Sequence, residues 1–341
     1  MSNAIDKISK VELGAHGPLV GVQGFGAMGI SFAYGRTDDE AARDTLAAAV
    51  EAGVTLVDTA DMYGIGANEE FLAPFLAAHR DEITLATKFA IELRAGDPGY
   101  RAIRNDPPYI RQAVEASLRR LKVDVIDLYY MHRRDPAVPL AESVGTMAEL
   151  VREGKVKHLG LSEVTGAELR EAYAVHPITA LQSEWSVFSR DVERSAVGAA
   201  AELGVAFVPY SPLGRGFLTG AFKDAATELS SGDFRQSQPR FTGDNAKANA
   251  ALLEPLQKIA AAHGATTAQI ALAWVQQQSQ VHGLTVVPIP GTRKRGRLLE
   301  NAAATRITLT ADELALLEPI AGQVAGDRYS DMSQTSAARE G

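Results

Sequence analysis

The stretch Val57-Asp58-Thr59-Ala60-Asp61-Met62-Tyr63-Gly64 reads as the end of a buried strand that turns straight into a polar loop. Val54, Leu56 and Val57 are strand formers, and Glu51-Ala52-Gly53 ahead of them has the form of a helix ending at a glycine. Asp58 then stands at the strand's C-terminal tip, with Tyr63 in the loop beyond. In a parallel α/β protein that tip is where ligands bind. A phenol has an ordinary pKa of about 10. It becomes a useful proton donor near neutral pH when something stabilises its phenolate, such as a nearby ammonium. A lysine at another strand tip would complete the chemistry.

Outward from this stretch, strand and helix signals alternate. Residues 11–20, around His16-Gly17-Pro18, pattern as a small β-hairpin ahead of the main fold. Val22-Gln23-Gly24-Phe25-Gly26 is the first strand. Thr37-Asp38-Asp39-Glu40 has the spacing of a capping box, with Thr37 as N-cap, and opens an alanine-rich helix to about residue 51. After strand 54–58, residues 67–78 read as helix and 82–87 as the next strand, which places Lys88 at its tip. Residues 90–105 form a loop bearing glycine and arginine. Asp106-Pro107 starts a helix whose apolar stripe is Ile110, Val114, Leu118 and Leu121. Residues 125–131 are a near-continuous apolar strand with His132 at its tip. Helix 140–153, strand 156–161 with Ser162-Glu163 at its tip, and helix 165–175 follow. Next come a short strand at 178–181 ending in Gln182, helix 190–203, and strand 205–209 with Tyr210-Ser211 at its tip.

Residues 217–245 are polar and glycine-rich, a loop long enough to serve as an active-site lid. Helices at 246–263 and 267–278 precede the eighth strand at 284–289 and its helix at 295–304. Thr310-Ala311-Asp312-Glu313 caps a last helix to about residue 320. The tail from Ala321 is polar and is expected to be mobile, with packing over a pocket or a neighbouring subunit as the other readings. Eight strand–helix units after a hairpin predict a (β/α)8 TIM barrel with two additional helices and a long loop after strand 7. It is read as one domain over residues 1–341, with its core at about 8–320 and a tail at 321–341. A doubly wound sheet is the alternative, because Gly24-Phe25-Gly26-Ala27-Met28-Gly29 matches a dinucleotide-binding fingerprint. The helix that should follow that fingerprint at once begins only near Thr37, so the match is read as accidental.

The composition narrows the function. With 34 Lys+Arg against 42 Asp+Glu the chain carries −8, and its basic clusters, Arg133-Arg134 and Arg293-Lys294-Arg295, are short. Binding nucleic acid through its phosphates is not expected. There is no cysteine, so no disulfide, thiol nucleophile or thiolate metal ligand exists. No signal-peptide core or 18-residue apolar run is present, which predicts a cytoplasmic protein with no membrane span. No metal site is expected, and the oligomeric state is not readable.

Asp58, Tyr63, Lys88 and His132 all fall at or just past the tips of the second to fourth strands. In a barrel those tips share one mouth. The set suits delivery of a proton to a carbonyl oxygen while hydride reaches its carbon. Lys88 would lower the pKa of Tyr63, Asp58 would hold Lys88 charged, and His132 would position the substrate oxygen. Singly, an Asp–Lys pair is ordinarily a structural salt bridge, a tyrosine after a strand a pocket wall, and a histidine at a strand end a cap. Four at neighbouring tips carry more weight than any one.

These residues resemble the aldo-keto reductase family. The resemblance rests on 58–64, Ala86-Thr87-Lys88, Tyr129-Tyr130-Met131-His132, Gly154–Ser162, Tyr210–Gly216, and Pro290-Gly291-Thr292-Arg293 with Asn301. It spans roughly residues 8–320 and is most like the bacterial and plant branch related to perakine reductase and pyridoxal reductase. It implies a (β/α)8 barrel, NADPH-dependent reduction of aldehydes and ketones (reversible to alcohol oxidation) and no metal. It makes Tyr63 the general acid, supported by Asp58, Lys88 and His132. It implies that Ser162 and Gln182 hold the nicotinamide carboxamide, that Tyr210 stacks on the ring, and that Ser211, Leu213 and Gly214 line the pyrophosphate. Thr292, Arg293 and Arg297 would take the 2′-phosphate, with Glu300 and Asn301 near adenine. Gly26, Met28, Asp58, Gly216 and Gly291 complete the expected cofactor contacts. An extra phosphate facing guanidinium forks would select NADPH over NADH. Glu163 departs from the family's usual asparagine, and an ionised carboxylate cannot donate to a carboxamide oxygen.

Pocket walls are expected from Met28, Phe32, Tyr34, Phe89, Arg133 and Trp185, with loop 217–245 and the tail; this aromatic lining points weakly to aryl or cyclic carbonyls. Two other functions compete. The family resembles potassium-channel β subunits, so a cofactor-sensing regulatory module is one. An isomerase or lyase using Lys88 as a Schiff base is the other, but pairing with Asp58 would keep Lys88 protonated and poorly nucleophilic.

Overall fold

The computed structural model describes residues 6–31, 38–222, 228–229 and 232–340. Its centre is a seven-stranded parallel sheet rolled into a barrel. In chain order its strands are β3 (Phe25–Gly26), β4 (Leu56–Asp58), β5 (Thr84–Phe89), β8 (Ile126–Met131), β9 (Val156–Ser162), β10 (Ala180–Glu184) and β11 (Ala206–Tyr210). Every neighbouring pair is parallel, with Asp58 beside Ala86 and Lys88 beside Tyr130. The strands of the middle of the sheet are buried on both faces, which is why 126–131 reads as an unbroken apolar run.

The expected eighth strand lies where the barrel closes. Val287 N–H donates to Phe207 O at 2.9 Å and Ile289 N–H to Pro209 O at 3.0 Å, while Gly24 N–H donates to Pro288 O at 2.9 Å. Pro288 and Pro290 have no N–H, so the seam has few bonds and only Val286 forms a bridge, to Phe207. This is the (β/α)8 barrel expected from the sequence; a doubly wound sheet is excluded. Inside it lie Leu56, Ala86, Leu128, Tyr130, Ala180, Val208 and Val287. Tyr130 has room because its cross-strand neighbour is Gly160, where a Cβ would stand 2.4 Å from the tyrosine ring. A hairpin of β1 (Lys10–Glu12) and β2 (Leu19–Gly21) plugs the N-terminal end with Leu13 and Val20.

Several local expectations need correction. The first long helix, Asp39–Glu51, is capped by Asp38, whose carboxylate accepts from Glu40 and Ala41 N–H; Thr37 lies outside the described residues. Residues 90–105, expected as a loop, contain an antiparallel hairpin, β6 (Ile91–Arg94) with β7 (Asp97–Ile103). Its turn is at Gly96, whose φ is +81°. The single helix expected at 246–263 is two, Gly243–Ala251 and Glu254–His263, and the second starts with Pro255 in its first turn. Residues 191–194 are a 3₁₀ turn ahead of the helix Ala196–Leu203. Among the described residues no helix is long and apolar enough to cross a membrane.

Asp127 ties the lower ends of the central strands together. It accepts from Leu85 N–H at 2.8 Å, from Arg80 at 2.7 Å and from Lys157 at 2.8 Å. Burial alone would raise its carboxyl, but the bonds from Arg80 and Lys157 outweigh it and hold the group below its usual range. A carboxyl whose folded pKa is depressed stabilises the fold above its unfolded pKa and loses that contribution as pH falls. Asp127→Asn should therefore cost about 2–3 kcal/mol in chemical denaturation at pH 7. The difference from the unsubstituted chain should narrow below about pH 4. An unchanged denaturation midpoint at pH 7 would refute this role.

Candidate active site

Parallel pairing brings the C-terminal tips of the strands to one mouth, and the predicted tetrad meets there. Lys88, the penultimate residue of β5, is fully buried, and its ammonium contacts Asp58 Oδ1 at the tip of β4. The same ammonium donates to Thr59 O at 2.8 Å. Gln182, on β10, donates to the other Asp58 oxygen at 2.9 Å. Lys88 Nζ lies 5.3 Å from the centre of the Tyr63 ring. His132, just past β8, meets that ring edge-on, with centroids 6.1 Å apart. The loop carrying Tyr63 is fixed from behind by Asn68, which takes Thr59 Oγ1 at 2.6 Å and donates to Ala27 O at 3.0 Å.

Burial sets the electrostatics. It drives the Asp58 carboxyl up and the Lys88 ammonium down, while their mutual contact opposes both changes. Tyr63 is not lowered as expected. Burial and then the Asp58 charge push its phenol far above its usual value, so it is protonated at any ordinary pH. His132 is pushed well below its usual value by burial, then by Arg133, Lys88 and Arg101. Its ring is neutral near pH 7, and its buried Nδ1 has no hydrogen-bond partner among the described residues.

A cavity of about 820 Å³ runs from this tetrad along the mouth. Asp58, Tyr63 and His132 face it at one end, and Gln182, Tyr210, Ser211, Leu213 and Gly216 continue its wall. Thr292, Arg293, Lys294, Arg297, Glu300 and Asn301 line the other end, at the start of the helix Arg295–Ala303. Cations at a helix N-terminus suit a phosphate. Arg295 is not part of this lining: it pairs with Asp44 and Glu51. Gly26, Met28 and Gly291 also line the cavity. A Cβ on Gly291 would stand 2.7 Å from Gly26 O, so backbone approach at the barrel seam alone requires a glycine there.

Other expected residues lie elsewhere. Ser162 is buried behind the lining, where Arg133 donates to its hydroxyl at 3.3 Å. Gly214 is buried at the start of the turn Gly214–Thr219. Phe89 and Trp185 are not pocket walls. Phe89 stacks on Tyr129 with centroids 5.1 Å apart, and Trp185 packs on Phe207 while donating to Glu193 at 2.8 Å. Both belong to the core outside the barrel, because their strand positions face the helices. Phe32 and Tyr34 lie outside the described residues. Arg133 does line the cavity, as do Thr219, Phe234, Arg235 and Gln238 of the 217–245 segment. Among the described residues no cluster of His, Asp and Glu could hold a metal ion.

The tail corrects the expectation of mobility. It runs across the mouth and supplies Tyr329, Ser330, Asp331, Gln334 and Thr335 to the cavity wall. Its anchor is Glu163, fully buried at the tip of β9 with φ +53°. Glu163 accepts from Arg328 at 3.1 Å, from Ser336 N–H at 3.0 Å and from the Tyr210 hydroxyl at 2.7 Å. Arg328 also pairs with Asp191 at 3.0 Å, and Arg339 with Glu168 at 3.0 Å. Tyr329 Oη stands 3.1 Å from Tyr210 Oη. Packing of the tail over the pocket was one of the readings its sequence allowed, but the residues that dock it could not be picked out from 328–339, since their partners lie far away in the chain. Arg101 on the β6–β7 hairpin and Tyr329 were missed for that reason.

The family model described as the aldo/keto reductase family matches residues 24–321. The fold is also similar to three solved structures. The glycerol dehydrogenase AKR11B4 from Gluconobacter oxydans is 27% identical with a TM-score of 0.81, over 95% of this chain and 97% of that one. The aldo-keto reductase AKR11C1 from Bacillus halodurans, in its holo form, is 25% identical with a TM-score of 0.72, over 95% and 100%. The thermostable aldo-keto reductase Tm1743, in complex with the inhibitor epalrestat, is 29% identical with a TM-score of 0.72, over 92% and 100%.

Burial opposes the charge on Glu163, but Arg328 and Arg133 outweigh it and hold its carboxyl at about 2. Docking of the tail should thus be firm above the ordinary glutamate pKa of about 4.3 and weaken as pH falls below it. Glu163→Gln leaves buried Arg328 with Asp191 as its one remaining ion-pair partner among the described residues, a loss of about 1–3 kcal/mol. Limited proteolysis read by mass spectrometry should then cut within 326–339 many times faster than in the unsubstituted chain. Equal cleavage rates would show that Glu163 does not anchor the tail.

Proposed function

The chain belongs to the aldo/keto reductase family, and from that premise we propose that it is an NADPH-dependent reductase of aldehydes and ketones with Tyr63 as proton donor. Family membership supports carbonyl oxidoreduction with a nicotinamide cofactor. The observation that carries the finer reading is one cavity with two chemically distinct ends: the Asp58–Tyr63–Lys88–His132 cluster at one and Arg293, Lys294 and Arg297 at the other. The donor set fits a dinucleotide with an added phosphate, because guanidinium and ammonium groups at a helix start match a dianion. Bound reduced nicotinamide supplies the hydride.

The chain's own residues manage the proton and the charge. Tyr63 keeps its proton because burial and Asp58 disfavour the phenolate. It gives that proton up when negative charge develops on a substrate oxygen beside it, the moment at which a general acid is useful. Lys88, near the ring, offsets the charge left on the phenolate. Asp58, Gln182 and Thr59 O hold Lys88 in one orientation. His132, neutral, offers an N–H to the substrate oxygen without a competing proton transfer. The reverse reaction, alcohol oxidation, uses the same groups. The contacts of Glu163 with Arg328 and Ser336 support a role in docking the tail rather than in holding the cofactor.

Tyr63→Phe should lower kcat for 4-nitrobenzaldehyde by about 10²–10⁴-fold, while NADPH binding, followed by fluorescence, stays intact. Turnover in the variant close to the unsubstituted rate would remove Tyr63 as the donor. Arg293→Ala with Arg297→Ala should weaken NADPH binding by about tenfold or more and leave NADH affinity nearly unchanged. Equal losses for both cofactors would argue against a 2′-phosphate site.

A further inference from the structure

At the His132 end, two arginines face the cavity with no acid in ion-pair contact among the described residues; Glu163 acts on Arg133 from beyond contact and, with Tyr210 and Tyr329, outweighs the effect of burial there. Arg133 is 7% exposed, and one of its nitrogens donates to His132 O at 2.7 Å and to Ser162 Oγ at 3.3 Å. Its remaining N–H groups have no hydrogen-bond partner among the described residues, although the side chain lines the cavity. Arg101 reaches the rim from the β6–β7 hairpin and, among the described residues, donates only to the neutral Gln334, at 2.8 Å. Among the described residues neither arginine forms an ion pair, whereas Arg215 in the same wall is matched by Glu184 and Arg235 by Asp233. Asp331, on the rim, is the acid nearest Arg101 in effect, and it accepts from Ser333 N–H at 2.9 Å. The two guanidiniums sit close enough to repel: burial and Arg133 both lower the Arg101 pKa, and both arginines lower that of His132. Bringing two like charges together in a partly buried wall is unfavourable unless an anion joins them.

We infer that the substrate end of this cavity recognises a carbonyl compound bearing an anionic group, a carboxylate or a phosphate, with Arg101 and Arg133 as the residues that select it. This deepens the carbonyl-reductase reading and rests on it. A substrate whose carbonyl oxygen sits between Tyr63 and His132 extends its other end toward these guanidiniums. Arg133 supplies a fixed fork in a desolvated wall, where a charge-assisted bond is strong. Arg101, on a hairpin tied to the tail, supplies the second from the rim. The pair is separate from the Arg293–Arg297 cluster at the far end of the cavity.

The test compares matched substrates with NADPH. One pair is 4-carboxybenzaldehyde against methyl 4-formylbenzoate, and the other is glyceraldehyde 3-phosphate against glyceraldehyde. The anionic member of at least one pair should have a kcat/KM about tenfold or more above its neutral partner, the effect of one charge-assisted hydrogen bond. The pair that shows the preference identifies carboxylate or phosphate as the recognised group. The ratio should shrink with added salt and fall toward one in Arg101→Gln, chiefly through KM. Neutral members reduced as well as or better than anionic ones would overturn the inference while leaving the reductase reading intact. So would a preference that Arg101→Gln does not change. No turnover of any of the four would overturn the reductase reading and this inference with it.

Discussion

A lysine with no exposed surface, set inside a barrel, is the constraint around which the mouth is built. An isolated ammonium there would shed its proton or unfold the region. Lys88 is kept by Asp58 from the neighbouring strand and by a backbone carbonyl of the following loop. Asp58 in turn needs Gln182, from β10, four strands further along the sheet. Satisfying one charge thus fixes the relative positions of β4, β5 and β10 at their tips. The loop that carries Tyr63 inherits that order through Thr59 and Asn68. A reactive phenol is held beside a cation without a flexible segment between them.

The barrel and the tetrad were legible in the sequence for physical reasons. Period and punctuation mark strands that end in polar residues, and parallel strands must bring those ends together. Phe89 and Trp185 show where that logic stops. Near a strand tip, alternation decides whether a side chain faces the mouth or the helices, and a one-residue difference changes the answer. The capping residue at Asp38 in place of Thr37 reflects the same limit, since both can accept from a helix start. The hairpin at 91–103 and the contacts that dock the tail were opaque for another reason. Their sequences are polar, and their order comes from partners such as Gln334 for Arg101 and Glu163 for Arg328, which no local pattern reveals.

Charge is distributed unevenly in a chain that is acidic as a whole. The cavity gathers cations at both ends, and acids that could cancel them are committed elsewhere. Glu184 serves Arg215, Asp233 serves Arg235, and Glu163 serves Arg328. The acidic exterior does not set the potential inside, because a low-dielectric wall makes near charges count more than net charge.

The contact between Glu163 and Arg328 constrains how such a protein can change over generations. The glutamate sits on a barrel strand and the arginine on the tail, 165 positions apart. Either residue replaced alone leaves the other charged and buried with only part of its partners, Asp191 for Arg328 and the Ser336 and Tyr210 donors for Glu163. A descendant with a differently placed tail must therefore exchange both residues, or pass through a form whose mouth is only partly assembled. The barrel strand and the tail are free to drift in most of their positions, but at this pair a change on one side favours a matching change on the other.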